Sequence, residues 1–250
     1  LAVDGEYGFG YSVDVSGDRI IVGARANDCP GNKAFIYKYN GSAWELETIL
    51  QPEELQEGED FRFGWAVLMD GNIAAVTAPR ESHGGDCRGT IHTYEYDGTS
   101  WQETDLIWVC DFDMWGYDCG YTVALEDGLL AVGNTDYNSG EGAIEVLRRA
   151  ENQWVHEERI VAEEPAEWGM LGNHISIEND IIIASEGGEV SDFRVFLFKY
   201  ERNHWKQQYV FMDNTLASYG HSVYLDEHVL LIGAPWASYG GADWKGVVDI

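Results

Sequence analysis

The chain has 250 residues, of which 45% are hydrophobic and 13% aromatic, so it can bury a core as one large all-β domain or as two smaller ones. Fifteen Lys and Arg residues face 44 Asp and Glu residues, a formal net charge of −29 that repels phosphate backbones and anionic lipid surfaces. We therefore expect no nucleic-acid partner. The sequence has no run of 18 apolar residues, and it opens with neither an initiator Met nor a positively charged leader. We expect no membrane insertion within this segment and interpret it as a mature chain or an excised piece.

One 16-residue unit occurs five times along the chain. Its first copy, FGYSVDVSGDRIIVGA, covers residues 9–24, and the other copies begin at residues 63, 119, 171 and 219. Each copy has two β-branched runs around a short polar turn, a pattern that is typical of a β-hairpin. The second position is glycine in every copy, as Gly10, Gly64, Gly120, Gly172 and Gly220.

A second hairpin follows each of the first four copies, so each complete repeat supplies four predicted strands. Antiparallel four-stranded units of about 50 residues that bury their faces against one another are typical of a β-propeller. We expect the repeated glycine to let neighbouring backbones approach closely on the innermost strands. A tryptophan stands just past each second turn, and its regular spacing indicates a structural role for Trp44, Trp101, Trp154 and Trp205.

The predicted fold is an all-β propeller of four-stranded antiparallel blades, with five repeats visible and the last one incomplete at GVVDI. We expect a single domain over residues 1–250, and two alternatives for its closure stay open. The favoured one is a five-bladed ring that closes through residues 1–8, and the other is a segment of a longer protein with more blades. The predicted blades are at approximately 9–60, 61–114, 115–166, 167–214 and 215–250.

These repeats resemble the FG-GAP repeat, the blade unit of integrin α-subunit propellers and of many secreted propellers, over nearly the whole chain. Calcium-binding integrin blades carry a long DxDxDG-type loop between their first two strands, but here that link is a short turn. We therefore expect no cofactor and no metal at the family's position, while calcium at another acidic loop stays open. The resemblance rests on Phe9-Gly10, Phe63-Gly64, Val22-Gly23-Ala24 and Ile232-Gly233-Ala234-Pro235, and the segment 89–94 resembles the calcium-free subclass of secreted microbial and algal proteins.

The four cysteines lack the paired CxxC spacing of a zinc site, which favours disulfides in an oxidising compartment. Cys29 and Cys87 lie in equivalent loops of adjacent repeats, and Cys110 and Cys119 bracket one link, so the predicted pairs are Cys29–Cys87 and Cys110–Cys119. Free buried thiols are the alternative. The sequon at Asn40 predicts glycosylation there, although such triplets also arise by chance. Together these features predict a secreted or cell-surface protein.

In a propeller, the links between second and third strands and the links between blades emerge on one face, where binding residues concentrate. Exposed aromatic rings beside carboxylates suit a sugar ring or a basic protein partner. Packing between blades and simple solvation of charge are the structural alternatives. The predicted contact residues on this face are Trp115, Trp168, Trp236, Tyr239, Trp244, Asp111 and Asp113.

The motifs HExxH, GxSxG and GxxxxGK[ST] are absent from the sequence, so we expect a protein that is not an enzyme. His174 and His221 fall on inner strands and are interpreted as satisfied core or channel histidines. The predicted function is a non-catalytic extracellular scaffold that contacts proteins or glycans in a cell-surface, matrix or filament assembly, with a homo-oligomer or filament as one form. A lectin-like propeller is the alternative, and a polysaccharide hydrolase or lyase, supported only by abundant carboxylates, ranks lower.

Overall fold

The predicted all-β propeller of five repeats is confirmed, and its fifth sheet is the incomplete one. The computed structural model describes residues 8–25, 32–52, 62–82, 88–109, 121–151, 153–187, 193–213, 215–226, 229–237 and 246–250. Within these residues the strands form four four-stranded sheets and one three-stranded sheet, each an antiparallel meander in chain order. None of the helical segments in the described ranges has the length and apolar character needed to cross a membrane.

Each sheet begins with the hairpin of the repeated unit. The first sheet contains β1 (Phe9–Ser16), β2 (Arg19–Ala24), β3 (Lys33–Tyr39) and β4 (Trp44–Leu50). The second contains β5 (Val67–Asp70), β6 (Ile73–Ser82), β7 (Arg88–Tyr96) and β8 (Trp101–Trp108). The third contains β9 (Val123–Glu126), β10 (Leu129–Asn134), β11 (Ala143–Ala150) and β12 (Gln153–Ile160). The fourth contains β13 (His174–Glu178), β14 (Ile181–Ser185), β15 (Arg194–Glu201) and β16 (His204–Met212). The fifth contains β17 (Ser222–Asp226), β18 (Val229–Ala234) and β19 (Val247–Asp249).

Two of the regularly spaced tryptophans pack on a tyrosine of their own sheet. Trp101 pairs directly with Tyr96 across the second hairpin, and Trp205 pairs with Tyr200, with ring centroids 5.6 and 5.2 Å apart. Both indoles are buried. Cross-strand aromatic pairs of this kind stabilise a hairpin and fix its register, which is the structural role that the spacing predicts.

A tight turn leads into each inner strand, and we call it the lead-in turn. In the first copy it covers residues 8–11, where the N–H of Tyr11 donates to the carbonyl of Gly8 at 3.0 Å. The same bond recurs from Trp65 to Arg62 and from His221 to Ser218, each at 3.1 Å. The first residue of the turn and the repeated glycine both have a positive φ. Glycine adopts a positive φ without strain, which favours it at the repeated position.

The sequence predicts the repeated glycine from the close approach of neighbouring backbones, but the positive φ of the turn is a second reason for it. A Cβ on Gly64 would lie 2.6 Å from the carbonyl oxygen of Lys33, and one on Gly172 would lie 2.7 Å from that of Ala143. At Gly10, however, nothing lies within 4 Å of the added Cβ. Backbone conformation is common to all three positions, with φ of 86°, 97° and 86° for Gly64, Gly172 and Gly10, and close approach holds only for the first two.

The chain packs into two compact units, residues 1–121 with 149–154 and residues 122–148 with 155–250. In the first unit, the core between the first two sheets contains Ile21, Ala34, Phe63 and Val76. In the second unit, a core of the same kind contains residues of the third and fourth sheets, and another joins the fourth and fifth. Successive sheets within each unit thus bury their apolar faces against each other, as in propeller blades.

Hydrogen bonds between successive inner strands repeat along both units. In the first unit, the Ser12 hydroxyl donates to the Gly64 carbonyl at 3.1 Å, and the N–H of Gly71 donates to the Ser16 hydroxyl at 2.9 Å. In the second unit, the Thr122 hydroxyl donates to the Asn173 carbonyl at 2.6 Å. The fourth position of the repeat therefore holds a donor to the next lead-in turn in these two copies.

Candidate binding site

Two of the seven predicted contact residues, Trp168 and Trp236, fall in the part of the chain that the structure describes. The remaining calls lie outside the described residues, so their contacts stay predictions. These are Trp115, Tyr239, Trp244, Asp111 and Asp113, together with both predicted disulfides, Cys29–Cys87 and Cys110–Cys119. Asn40 is described and exposed, at the start of a hairpin turn that its side-chain oxygen stabilises by accepting the N–H groups of Ser42 and Ala43.

Trp168 presents an exposed indole on the link between the third and fourth sheets. Its side chain packs on Gly140, where an added Cβ would lie 2.8 Å from the indole Cε3. Trp168 has a φ of 59° and is 54% exposed. The glycine therefore positions this ring at the surface.

Trp236 forms the rim of a cavity in the second compact unit. It lies two residues after β18 and is 53% exposed. Its ring meets His221 edge-to-face with centroids 5.7 Å apart, and His221 lies 5.5 Å from His174. The cavity has a volume of 280 Å³, and its lining also includes Asn173, Phe193 and Ser218. His221 is exposed at this cavity, so it is not a core residue, and its place facing the channel stays a prediction.

The carboxylate in the cavity wall is compensated by an arginine. Both oxygens of Glu186 accept hydrogen bonds from Arg194, at 2.6 and 2.7 Å, and the Glu186 side chain is fully buried. Burial and the neighbouring His221 both lower the pKa of His174, which favours its neutral form. The cavity thus combines an exposed indole with polar groups and little net charge, a composition suited to a small polar ligand with one apolar face.

A second surface, the arginine–aromatic cluster, lies in the first compact unit. The guanidinium of Arg25 stacks 4.8 Å from the ring centre of Tyr11 and 4.3 Å from that of Trp65. Trp65 in turn meets Tyr121 edge-to-face at 4.4 Å, and Arg62 donates to the Tyr121 hydroxyl at 3.1 Å. Cation–π contacts of this kind hold the rings in fixed positions.

The third position of the repeat builds both surfaces. It supplies Tyr11, Trp65 and Tyr121 to the arginine–aromatic cluster, and Asn173 and His221 to the cavity. We call this end of the inner strands, where the lead-in turns arrive, the link end. The sequence analysis missed this position, although three aromatic residues at one repeat position were a usable signal.

The comparison with known families agrees with the repeat found here. The FG-GAP repeat family matches residues 2–37, which include the whole first copy. The same unit recurs four times and folds in each sheet as the same hairpin. Together these findings support an FG-GAP repeat propeller. A search among curated proteins gave no match to the chain. The calcium-free secreted subclass stays a prediction.

The FG-GAP propeller also contains a buried charged cluster in its second sheet. His92 is buried, with its Nε2 2.7 Å from Glu81 and its Nδ1 2.7 Å from Glu103. The Thr90 hydroxyl donates to Glu81, and the Phe63 ring packs edge-to-face on the imidazole at 5.1 Å. The buried His92 of β7 thus joins Glu81 of β6 to Glu103 of β8, which is a structural role.

The protonation of this cluster follows from its hydrogen bonds. Burial acts to lower the pKa of His92, but the hydrogen bonds with Glu103 and Glu81 raise it, and the net pKa is above the usual value. Burial acts to raise the pKa of Glu81, yet the hydrogen bonds with His92 and Thr90 and the charge of His92 together outweigh it, so this pKa is lowered. Both shifts favour the charged forms of His92 and Glu81.

This arrangement makes stability depend on pH. The raised pKa of His92 means that its contribution is full below the pKa of an unfolded histidine, about 6.5, and is lost as the pH rises through the folded value. Between about pH 6 and pH 9, we expect the free energy of unfolding to fall more steeply for the wild type than for His92→Gln. Over this range, the difference in the free energy of unfolding between the two proteins changes by about 1.4 kcal/mol for each unit by which folding raises the pKa of His92. Urea unfolding across this pH range measures it.

The matched control is His204→Gln, since the His204 imidazole is solvent-exposed. It should keep the wild-type pH dependence. Equal slopes for the wild type and His92→Gln would show that the buried imidazole does not become charged in the folded protein.

Proposed function

We propose that this FG-GAP propeller is a non-catalytic extracellular scaffold that contacts proteins or glycans through its link end. The FG-GAP propeller fold is consistent with an interaction scaffold. The observation that carries the proposal is the cavity at Trp236, which is lined by an exposed indole and several polar side chains near the ends of strands.

Preorganisation supports a binding role for this cavity. The N–H of His221 donates to the carbonyls of Ser218 and Gly233, each at 3.1 Å, and the N–H of Ala237 donates to that of Ala234 at 3.2 Å. The segments that carry His221 and Trp236 are therefore held by backbone hydrogen bonds. A site that is already ordered loses little conformational entropy when a ligand binds.

A lectin-like function is the second candidate, and the composition of the cavity favours it. A sugar ring stacks its apolar face on an indole while its hydroxyl groups bond to nearby polar side chains. Asn173, Ser218 and His221 supply such groups around Trp236. Ligand pockets usually have about 300–1,000 Å³, so 280 Å³ favours a single sugar residue or one partner side chain over a long chain.

The contacts of the described carboxylates support a non-catalytic role. Both oxygens of Glu186 accept hydrogen bonds from Arg194, which anchor this carboxylate to β15. Glu81 and Glu103 hold the buried His92. The hydrogen bonds of Glu186, Glu81 and Glu103 therefore stabilise the fold.

The test is binding to a glycan array and to a panel of extracellular proteins. For any ligand found, Trp236→Ala should weaken binding about tenfold or more, because a central aromatic contact is worth about 1.4 kcal/mol or more. Tyr209→Ala is the control, since it removes an exposed aromatic ring from β16 in the same unit. It should bind as the wild type does.

Two results would contradict the assignment. The first is equal loss of binding in Trp236→Ala and Tyr209→Ala, which would move the site away from the cavity. The second is the absence of any bound glycan or protein, combined with release of reducing ends from a polysaccharide, which would favour the hydrolase or lyase.

A further inference from the structure

Two histidines meet at the junction between the fourth and fifth sheets. His174 is the first residue of β13, and His221 directly precedes β17. Their ring centroids are 5.5 Å apart, with the ring planes inclined by 32°, and the His221 ring also meets the ring of Trp236. All three residues belong to the second compact unit, so this contact lies within one packed body.

The repeat itself places these two side chains together. His174 holds the fourth repeat position, from which the hydroxyls of Ser12 and Thr122 reach the lead-in turn of the next copy. His221 holds the third position of the copy that follows His174. At this junction an imidazole therefore stands where the first and third copies have a hydroxyl, and it faces a second imidazole.

The backbone is fixed on both sides of the pair. His174 pairs with Ser185 across β13 and β14, and the N–H of His221 makes the two backbone hydrogen bonds that hold the next lead-in turn. The Ser176 hydroxyl accepts the N–H of Leu225 at 3.1 Å, which joins β13 directly to β17. The two imidazoles are therefore presented on ordered strands, which reduces the entropy that is lost when they bind an ion together.

The ring nitrogens of this pair differ in their contacts from those of the other described histidines. Each of those others contacts a carboxylate, as His92, His156 and His204 do. Among the described residues, His174 and His221 have ring contacts with each other and with Trp236, and their imidazoles have no hydrogen-bond or ion-pair partner. Since burial and His221 lower the pKa of His174, its imidazole is neutral at neutral pH and offers a lone pair to a ligand.

The separation of the two rings is close to that of two imidazoles on one metal ion. Metal–nitrogen distances of about 2.0–2.1 Å and a roughly tetrahedral angle set the ring centres about 5 Å apart. The observed 5.5 Å lies within a small side-chain rotation of this value. Neutral imidazole suits divalent copper, nickel and zinc, and the net charge of −29 raises the concentration of such cations near the protein.

We propose that His174 and His221 bind one divalent transition-metal ion beside the cavity, with Cu²⁺ bound more tightly than Ni²⁺ or Zn²⁺. The described residues contain no group of three or more His, Cys, Asp or Glu suited to a metal ion, so two imidazoles are the protein's nitrogen ligands here. Water and the oxygens of Asn173 and Ser218, which line the same cavity, are available for the remaining positions.

A site with so few protein ligands stays open and holds an exchangeable ion, unlike the closed four-ligand sites of structural zinc. Binding also requires both imidazoles to be neutral, so the affinity should fall on acidification as they become protonated. The site does not depend on the proposed scaffold function, because it needs neither a glycan nor a protein partner.

The test is calorimetric titration of the purified, metal-free protein with Cu²⁺ at neutral pH, with electron paramagnetic resonance of the bound ion. The wild type should have a Cu²⁺ site whose spectrum shows nitrogen ligands. His174→Asn and His221→Asn should each weaken this binding about tenfold or more, because even the outer partners of a metal site are worth about 10–100-fold in affinity. Ni²⁺ and Zn²⁺ should bind the wild type more weakly.

Two controls separate this site from the many carboxylates of the chain. His204→Gln removes a solvent-exposed imidazole from β16 of the same unit and should bind Cu²⁺ as the wild type does. Excess Ca²⁺, which prefers oxygen ligands, should leave the nitrogen-bound Cu²⁺ in place.

Three results would overturn the proposal. Unchanged Cu²⁺ binding in both His174→Asn and His221→Asn shows that the pair does not hold the ion. Equal weakening in His204→Gln shows that the loss is not specific to the pair, and displacement by Ca²⁺ shows that carboxylates are the ligands. Circular dichroism checks the fold of each variant, and if the partly buried His174→Asn does not fold, the exposed His221→Asn decides the outcome.

Discussion

Replacing Arg194 by methionine is expected to lower the free energy of unfolding by about 3–5 kcal/mol, because it leaves a buried carboxylate without its partner. The Glu186 side chain is fully buried, and Arg194 donates to both of its oxygens. Methionine keeps much of the aliphatic volume of arginine but offers no donor. Urea unfolding at neutral pH, followed by tryptophan fluorescence, measures the loss.

The control is Arg148→Met, which breaks a pair with Glu157 at a much more exposed arginine. Exposed ion pairs contribute about 0–1 kcal/mol, so this variant should remain close to the wild type. The double variant Glu186→Gln with Arg194→Met should recover part of the stability, because it removes the buried charge itself. Equal losses in Arg194→Met and Arg148→Met would show that Glu186 is compensated by other groups.

Replacing Gly172 by alanine should lower the free energy of unfolding by about 3 kcal/mol, since two separate costs combine there. The backbone has a φ of 97°, which side chains other than glycine rarely adopt. The added Cβ would also lie 2.7 Å from the backbone oxygen of Ala143 and 3.0 Å from the Cα of Gly133. Thermal and urea unfolding of the purified variant check the prediction.

Gly10→Ala separates the two costs. Its φ of 86° is similar, but no atom lies within 4 Å of the added Cβ, so only the conformational cost of about 1–2 kcal/mol should appear. If both alanine variants lose the same stability, close approach contributes nothing at Gly172, and the conserved geometry of the turn accounts for the whole effect.

The fold was predictable from the sequence because its signals are local. Alternation of apolar residues, short polar turns and a tryptophan after each second turn each depend on a few neighbouring residues, and they recur in phase. The repeated glycine was located correctly for the same reason. Its positive φ belongs to a turn whose hydrogen bond, from Tyr11 to Gly8 in the first copy, is visible only in three dimensions.

The buried pairs were not predictable, because they depend on strand register. Glu81 reaches His92 after a register shift between Ala78 and Ser82 in the pairing of β6 with β7. An irregularity of this kind changes the direction of the side chains that follow it, and the sequence carries no clear mark of it. Trp236 and His221 meet for a different reason: the end of β18 and the start of β17 lie at the same end of one hairpin.

The side-chain hydrogen bonds between inner strands run in one direction, from each repeat to the next along the chain. Ser12 donates forward to Gly64, and Thr122 donates forward to Asn173. Each of these bonds depends only on the two repeats that it joins, so inserting or deleting a whole repeat elsewhere leaves it unchanged. A gene that encodes such a protein can lengthen or shorten by tandem duplication or loss of about 50 residues at a time, without new compensating substitutions at every junction.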